Sequence, residues 1–382
     1  MNSFDSTLRG ELEALEKADL RRTLRVVDPA LVNFAANDYL GLARHPALVE
    51  AAREATELRG TGSGASRLVT GTDGAVLALE QELAAWKEKE AALIFSSGFA
   101  AALGTISVLV GAGDTVILDK LSHASLIDAA RLSGATVRTF AHNDVARLES
   151  VLRKVAADGA RTLVVTESIF SMDGDAAPLA EIVALKEKHG AWLFVDEAHA
   201  TGLYGTTGAG RVAEAGLSER VEIVMGTMSK ALGSVGGYVA GSQVLIDWLT
   251  NRARSFIYST ALPPGVVAAS HAAVRLARGP EGKRLRGRLW GNIARFHAGL
   301  PERWKAETRS TSAIQPLICG EAAAALAMAA ALRERGFLIP AIRYPTVPRG
   351  SARLRVTLSA GHAEGEIDSL NRALGELGQA GG

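Results

Sequence analysis

The 382-residue sequence predicts an α/β protein: a large, mostly parallel sheet covered by helices, followed by a smaller α+β segment. Three observations predict it. Short apolar runs at 92–95, 115–118, 136–140, 162–166, 192–195, 223–225 and 237–240 read as strands. Amphipathic helix patterns separate several of them, notably 145–156 and 179–189. Polar and charged residues repeatedly follow the ends of the runs, where an open α/β sheet gathers its functional groups.

The elements follow in order. Leu8, Leu12, Leu15 and Leu20 recur among charges after Met1-Asn2-Ser3-Phe4-Asp5, the pattern of an amphipathic helix and not of a signal peptide. Residues 31–34 are extended, and helices at 46–58 and 75–88 flank the glycine-rich stretch 60–66. The alternating strands and helices run from 91 onward, with a helix at 100–110 after the first strand. Composition shifts after Pro263-Pro264: 265–300 reads as two helices, the second basic. Strands at 313–318 and 354–358 then bracket a helix at 321–335, and a last helix runs over 363–377. The expected organisation is a helical arm with a short extended segment (1–45), a large α/β domain (46–264) and a small C-terminal α+β domain (265–382).

Composition narrows the function classes. Hydrophobic residues make up 48% of the chain, which excludes general disorder. A net charge of +1 gives no broad attraction to nucleic acid or to membranes. The Ala-rich run 322–332 is too short to span a bilayer and reads as a buried helix. The single cysteine, Cys319, cannot form an internal disulfide, which suits a reducing cytoplasm.

Lys230 lies in Gly226-Thr227-Met228-Ser229-Lys230-Ala231-Leu232-Gly233, just past a strand end. Small neighbours leave room for a flat ring, and exclusion of water eases deprotonation of the amine, so the lysine is placed to form a Schiff base with a carbonyl cofactor. Upstream, Asp196-Glu197-Ala198-His199 ends another strand. Asp, His and Lys at successive strand ends are the parts pyridoxal phosphate needs: the Asp keeps a proton on the pyridine nitrogen, the His bonds the ring hydroxyl and the Lys holds the aldehyde. The same Asp196–His199 run lacks the phosphate loop a helicase would require, and it lacks a third ligand for a metal. The glycines at 60–66 follow a helix, so they are not a dinucleotide fingerprint. Ser96-Ser97-Gly98-Phe99 follows a strand and opens a helix, which makes it a phosphate site or a plain turn. His123, between a strand and a helix, is a ring that stacks on a cofactor face or a capping residue. Ser171 donates to a phenolate or phosphate oxygen or starts the turn at Asp173-Gly174. Glu167 holds a polar shell at the same strand end. Arg353 and Arg355 share one face of a strand, where an Arg forks onto a carboxylate or is simply solvated.

In this order, Asn37-Asp38-Tyr39-Leu40-Gly41-Leu42, Ser122-His123-Ala124-Ser125, Ser171-Met172-Asp173-Gly174, Asp196-Glu197-Ala198-His199 and Thr227-Met228-Ser229-Lys230 resemble the α-oxoamine synthases. These have the aspartate-aminotransferase-like pyridoxal-phosphate fold, fold type I, and the resemblance spans nearly the whole chain. It implies pyridoxal phosphate as cofactor, with Lys230 holding its aldehyde and shuttling a proton, Asp196 on the pyridinium, His199 on the ring oxygen and His123 stacked on the ring. Those four would be the catalytic set. Gly98, Phe99, Ser171 and Thr227 would help seat the cofactor. Arg355 would hold an amino-acid carboxylate, with Asn37 and His123 nearby, and Arg21 and Thr346 would contact the acyl substrate. The resemblance also implies a homodimer with its site at the interface, Ser259 and Thr260 reaching the neighbour's phosphate. One departure is Ala65, where many relatives carry a second glycine. The segments 170–179, 312–317 and 345–348 are most similar to the member that condenses L-alanine with a pimeloyl thioester, carried by CoA or by a carrier protein. Sister enzymes use glycine with acetyl- or succinyl-CoA, or serine with a long acyl thioester; an aminotransferase or decarboxylase on the same fold is a more distant alternative.

Overall fold

Short runs of Val, Ile and Leu suit strands covered on both faces, and the computed structural model places them so. It describes residues 3–18, 20–24, 26–155, 160–305 and 310–379. Helix α1 (Ser3–Lys17), the short β1 (Val32–Asn33), α2 (Pro46–Arg59) and α3 (Gly74–Trp86) lead into a seven-stranded sheet. Its strands are β2 (Ala91–Phe95), β3 (Thr115–Asp119), β4 (Thr136–Phe140), β5 (Thr162–Glu167), β6 (Trp192–Asp196), β7 (Ile223–Thr227) and β8 (Gly237–Gly241). Helices α4 (Gly98–Leu109), α5 (Ala124–Leu132), α6 (Val145–Val155), α7 (Leu179–Lys188) and the short α8 (Arg211–Glu214) connect them. The strand order is β2-β8-β7-β6-β5-β3-β4.

Side chains alternate between two cores. Leu163, Val165 and Phe194 pack with α4 and α5 residues on one face; Val164, Leu193 and Val195 pack with α6 and α7 residues on the other. Every residue of β3, β5, β7 and β8 is buried. All strand pairs are parallel except those of β8, which runs antiparallel to β2 and β7. The connection between β7 and β8 is too short for the crossover that a parallel neighbour requires.

Beyond the sheet come α9 (Gln243–Arg252), α10 (Arg254–Ile257), α11 (Pro264–Arg278), α12 (Pro280–Gly299) and α13 (Glu302–Lys305). A three-stranded antiparallel sheet follows, in the order β11-β12-β9, from β9 (Ile314–Gly320), β11 (Ala341–Ile342) and β12 (Ala352–Thr357). Helices α14 (Ala322–Glu334) and α15 (Glu364–Gln379) accompany it, and β10 (Phe337–Leu338) pairs in parallel with β1. The third core joins Leu79 and Leu83 of α3, Val267 and Val274 of α11, Leu289 and Phe296 of α12, and Leu354 and Val356 of β12.

The periodic elements of the sequence lie where expected within a few residues, but the Ala-rich helix α14, expected to be buried, buries only Ala325 and Leu332 and packs one face on the small sheet. Helix α6 ends at Val155, and the expected residue 156 lies outside the described residues, as do Met1 and Asn2. Helix α9 was not legible, and β10 and β11 are too short to leave a pattern. No residue of α1 is buried, and Leu8, Leu12 and Leu15 are exposed along it.

Candidate active site

Parallel strands end together, so the last residues of β5, β6 and β7 form one edge. Glu167 and Asp196 are register partners at the ends of β5 and β6, and Asp196 pairs with Met225 of β7. The backbone then turns, and Lys230, three residues past β7, comes back over this edge. Lys230 Nζ lies 3.0 Å from His199 Nε2. The other ring nitrogen of His199, Nδ1, is 2.6 Å from the Tyr39 hydroxyl. Asp196 is buried, and Oδ1 accepts from the Ala198 N–H at 2.8 Å, the one hydrogen bond its carboxylate receives among the described residues. Glu167, also buried, accepts from the His123 N–H at 2.6 Å, which fixes the start of α5 and with it the His123 ring. The ring's Nδ1 is 2.8 Å from Ser125 Oγ.

Burial sets the electrostatics of this edge, because it disfavours every charged form. Desolvation lowers the Lys230 pKa against the pull of Asp196 and Glu167. It holds His199 well below the usual imidazole value, with the Lys230 charge adding to it, and lowers His123 as well. It raises Asp196, opposed by Lys230, and raises Glu167 well above the ordinary carboxylate range, with Asp196 adding repulsion. Burial thus works against the charge on each of these groups, and the Asp196 carboxylate is offset by one hydrogen bond and by the neighbouring Lys230 and His123.

A second feature lies at the end of β2. Ser97 caps α4, its Oγ accepting from the Ala100 N–H, which leaves the Gly98 and Phe99 N–H groups at the open end of the helix. Gly237 of β8 is the register partner of both Phe95 and Thr227, which brings the α4 start beside Thr227. A Cβ at Gly237 would stand 2.4 Å from the Ser97 carbonyl oxygen, so only glycine permits this approach. Thr227 Oγ1 donates to the Gly236 carbonyl at 2.7 Å and lies 2.6 Å from Ser229 Oγ.

The three-stranded sheet supplies the opposite wall. Arg355 is buried; its Nε donates to the Ser171 carbonyl at 2.7 Å and its Nη1 to Asn37 Oδ1 at 3.0 Å. Arg353 pairs with Asp173 at 2.6 Å, so both arginines grip the loop after β5. That loop turns at Gly174 (φ +69°), where a Cβ would stand 2.4 Å from the Ile314 carbonyl. Arg21 and Thr346 line one groove of about 670 Å³, with Leu20, Val27, Leu326 and Tyr344. Both are exposed; Arg21 pairs with Glu16, and Arg22 reaches Thr346 Oγ1 at 3.4 Å. Thr260 is exposed and bridges to Ser66. Among the described residues, no group of three or more His, Cys, Asp or Glu side chains is arranged to hold a metal ion.

The structure thus brings Asp196, His199 and Lys230 together, and Arg355 with Asn37 and the Ser171 backbone. It adds two groups that sequence reasoning did not single out. Tyr39 joins His199 to Asn37, its hydroxyl 3.1 Å from Asn37 Oδ1. Lys87 reaches Glu197 at 2.8 Å beneath the Asp196–His199 turn. A buried Tyr and Lys leave no pattern that separates them from ordinary core and surface residues.

A lysine, an aspartate and a histidine converging on the carboxyl edge of such a sheet define a class. The family model of class I and II aminotransferases matches residues 29–374, and the chain belongs to that family. Within it, the chain belongs with the 8-amino-7-oxononanoate synthases: that of Methylobacterium nodulans is 45% identical, over 99% of this chain and 98% of its own length. Among solved structures, the 8-amino-7-oxononanoate synthase of Francisella tularensis superposes with a TM-score of 0.78 at 28% identity, over 92% of this chain and 99% of that one. A serine palmitoyltransferase from S. paucimobilis, solved with a bound PLP–myriocin aldimine, superposes with a TM-score of 0.90 at 32% identity, over 98% of this chain and 97% of that one.

Proposed function

We propose that this chain condenses L-alanine with a pimeloyl thioester, releasing CO₂ and the free thiol and forming 8-amino-7-oxononanoate for biotin synthesis, with pyridoxal 5′-phosphate as cofactor. The observation that carries the reading is the buried edge where Lys230 meets His199 at 3.0 Å beside the Asp196 carboxylate. Asp196 fits the cofactor because a buried carboxylate with one hydrogen bond calls for a cationic partner, which a protonated pyridine nitrogen is. The open N–H groups of Gly98 and Phe99, beside Thr227, fit its phosphate.

When bound, pyridoxal phosphate offers an aldehyde to which amines attach and a ring that accepts the electron pair left at an amino acid's α-carbon. The chain's residues do the rest. Lys230 would attach to that aldehyde through Nζ, and once alanine had taken its place the freed amine, eased towards its neutral form by burial, would be the base for the alanine α-proton. Asp196 would keep the proton on the ring nitrogen, His199 would meet the ring oxygen, His123 would cover the ring face, and Ser171 would help seat it. Arg355 forks onto the alanine carboxylate with Asn37 beside it. Arg21 and Thr346 contact the acyl chain, in the groove they share. Lys230 returns the proton after CO₂ leaves.

The acyl donor is pimeloyl-CoA or a pimeloyl carrier protein, and the enzyme works as a cytoplasmic homodimer with the site at the interface. The exposed Leu8, Leu12 and Leu15 of α1 support a second chain packing there. No helix among the described residues is long and apolar enough to cross a membrane. A second reading, condensation of serine with a long acyl thioester, draws support from the TM-score of 0.90 to the serine palmitoyltransferase. Sequence weighs against it, since 8-amino-7-oxononanoate synthases such as that of Methylobacterium nodulans are 45% identical and the serine palmitoyltransferase is 32% identical. Incubation with L-alanine and pimeloyl-CoA, with mass detection of 8-amino-7-oxononanoate, tests the choice. Faster turnover of serine with palmitoyl-CoA, or of glycine with acetyl-CoA, would move the assignment to a sister enzyme.

A further inference from the structure

Four hydrogen bonds link the two ends of the site in one chain. Lys230 Nζ is 3.0 Å from His199 Nε2; His199 Nδ1 is 2.6 Å from the Tyr39 hydroxyl; that hydroxyl is 3.1 Å from Asn37 Oδ1; and Arg355 Nη1 is 3.0 Å from the same oxygen. Proton counting gives the chain a direction. A guanidinium only donates, so the Asn37 atom facing Arg355 is the amide oxygen, and an amide oxygen only accepts. Tyr39 has one proton and must give it to Asn37. Its oxygen then accepts from His199, which carries its proton on Nδ1 and leaves Nε2 bare to accept from Lys230. Tyr39 is fully buried, so water does not supply a substitute partner. Burial also holds its hydroxyl protonated, its pKa pushed up to about 12 with Arg355 pulling the other way.

Bound pyridoxal phosphate, on the reading given above, reverses the demand. An ionised ring oxygen only accepts, so His199 must offer Nε2–H to it, and Nδ1 then needs a donor. Tyr39 supplies one by turning its proton from Asn37 to His199. We propose that Tyr39 is a positioning residue, a single-proton link that sets the tautomer of His199 and couples the ring-oxygen end of the site to the Asn37–Arg355 end. The imidazole exchanges its own proton with solvent, one N–H bond breaking and one forming, so no charge is left in the chain. Filling of the Arg355 site with a carboxylate draws Nη1 away from Asn37 and is thereby felt at His199.

The test is nitrogen NMR on the full-length chain labelled with ¹⁵N-histidine, freed of cofactor and then reloaded, with His199 assigned by its loss in His199→Gln. The cofactor-free chain is expected to show the Nδ1–H tautomer, and the loaded chain Nε2–H. Asn37→Leu removes the acceptor that holds the Tyr39 proton, so it is expected to show Nε2–H before loading. An Nε2–H signal in the unloaded parent chain, or Nδ1–H in unloaded Asn37→Leu, overturns the proposal. Tyr39→Phe keeps the ring and its packing. It is expected to shift the pH midpoint of the bound cofactor's absorbance and lower kcat about tenfold or more, the scale on which partners of a site ligand act, with the alanine KM changed far less. An unmoved midpoint with only KM raised also overturns it. Failure of pyridoxal phosphate to bind at all would instead sink the functional reading, while the tautomers of the unloaded chains would still decide this one.

Discussion

Removing the Lys87 amine should cost the protein on the order of 3–5 kcal/mol of stability. Lys87 and Glu197 form an ion pair at 2.8 Å whose side chains are 2% and 1% exposed. The ammonium also donates to Thr201 Oγ1 at 2.9 Å and to the Ala209 carbonyl, and it lies 5.6 Å and 5.7 Å from the Trp86 and Tyr238 ring centroids. Its burial works against the charge, but Glu197 and Tyr238 together outweigh that and raise the Lys87 pKa. Lys87→Ala leaves Glu197 buried with the Val212 N–H, at 2.8 Å, as its remaining donor. A buried charge stripped of its partner costs about 3–5 kcal/mol, whereas removing both charges costs far less. Lys87→Met with Glu197→Gln should therefore be milder than the sum of the single changes by about 1–3 kcal/mol. Urea unfolding of the cofactor-free chain, followed by tryptophan fluorescence, measures Lys87→Ala and the four members of the Lys87→Met/Glu197→Gln cycle. Because Asp196 and His199 flank Glu197, pyridoxal phosphate should also bind Lys87→Ala more weakly. A loss below about 1 kcal/mol for Lys87→Ala, or strict additivity, would refute the reasoning.

Four further outcomes are expected. Borohydride reduction of the loaded enzyme followed by peptide mapping should place the pyridoxyl group on Lys230, and a label on another lysine would remove Lys230 from its role. Asp196→Asn should bind cofactor yet slow turnover about a hundredfold, because an amide no longer holds the ring nitrogen's proton by charge; near-normal kcat would contradict this. Arg355→Ala should weaken alanine by on the order of 2–5 kcal/mol, read as a raised alanine KM with the pimeloyl-CoA KM little changed. His142 sits between Asp119 at 3.0 Å and Asp175 at 2.8 Å; burial opposes its charge, but the two carboxylates raise its pKa from the ordinary 6.5 to about 10. The folded state therefore holds this proton more tightly than the unfolded one. Its stabilisation is full below pH 6.5, shrinks as pH rises, and is gone above about 10. The stability gap between the parent and His142→Gln should close over that window, and a gap that widened with pH would contradict the assignment.

The strands and helices of the large sheet were legible because burial on both faces writes continuous apolar runs, and surface helices write a 3.6-residue period. The direction of β8 was not, since apolar residues read the same in either direction; the short connection 228–236 carried that signal. The helix α9, with little amphipathic contrast, and the two-residue β10 and β11 left too little pattern. At the site, Asp196, His199 and Lys230 stood out because each follows a strand end, and strand ends of a parallel sheet share one edge. Tyr39 and Lys87 did not, because their partners lie 160 and 110 residues away.

By itself, then, the sequence determined the α/β class, the strand-end residues and the resemblance that led to the family, all of which rest on local periodicity and short motifs. Only the tertiary structure decided which polar groups meet: Arg355 with Asn37 across 318 residues, Tyr39 with His199, and Lys87 with Glu197. The physical reason is that hydrogen bonds and ion pairs act over about 3 Å, and chain separation says nothing about which groups come that close. Packing of the sheets and their helices sets those distances, and with them the protonation states on which the chemistry depends.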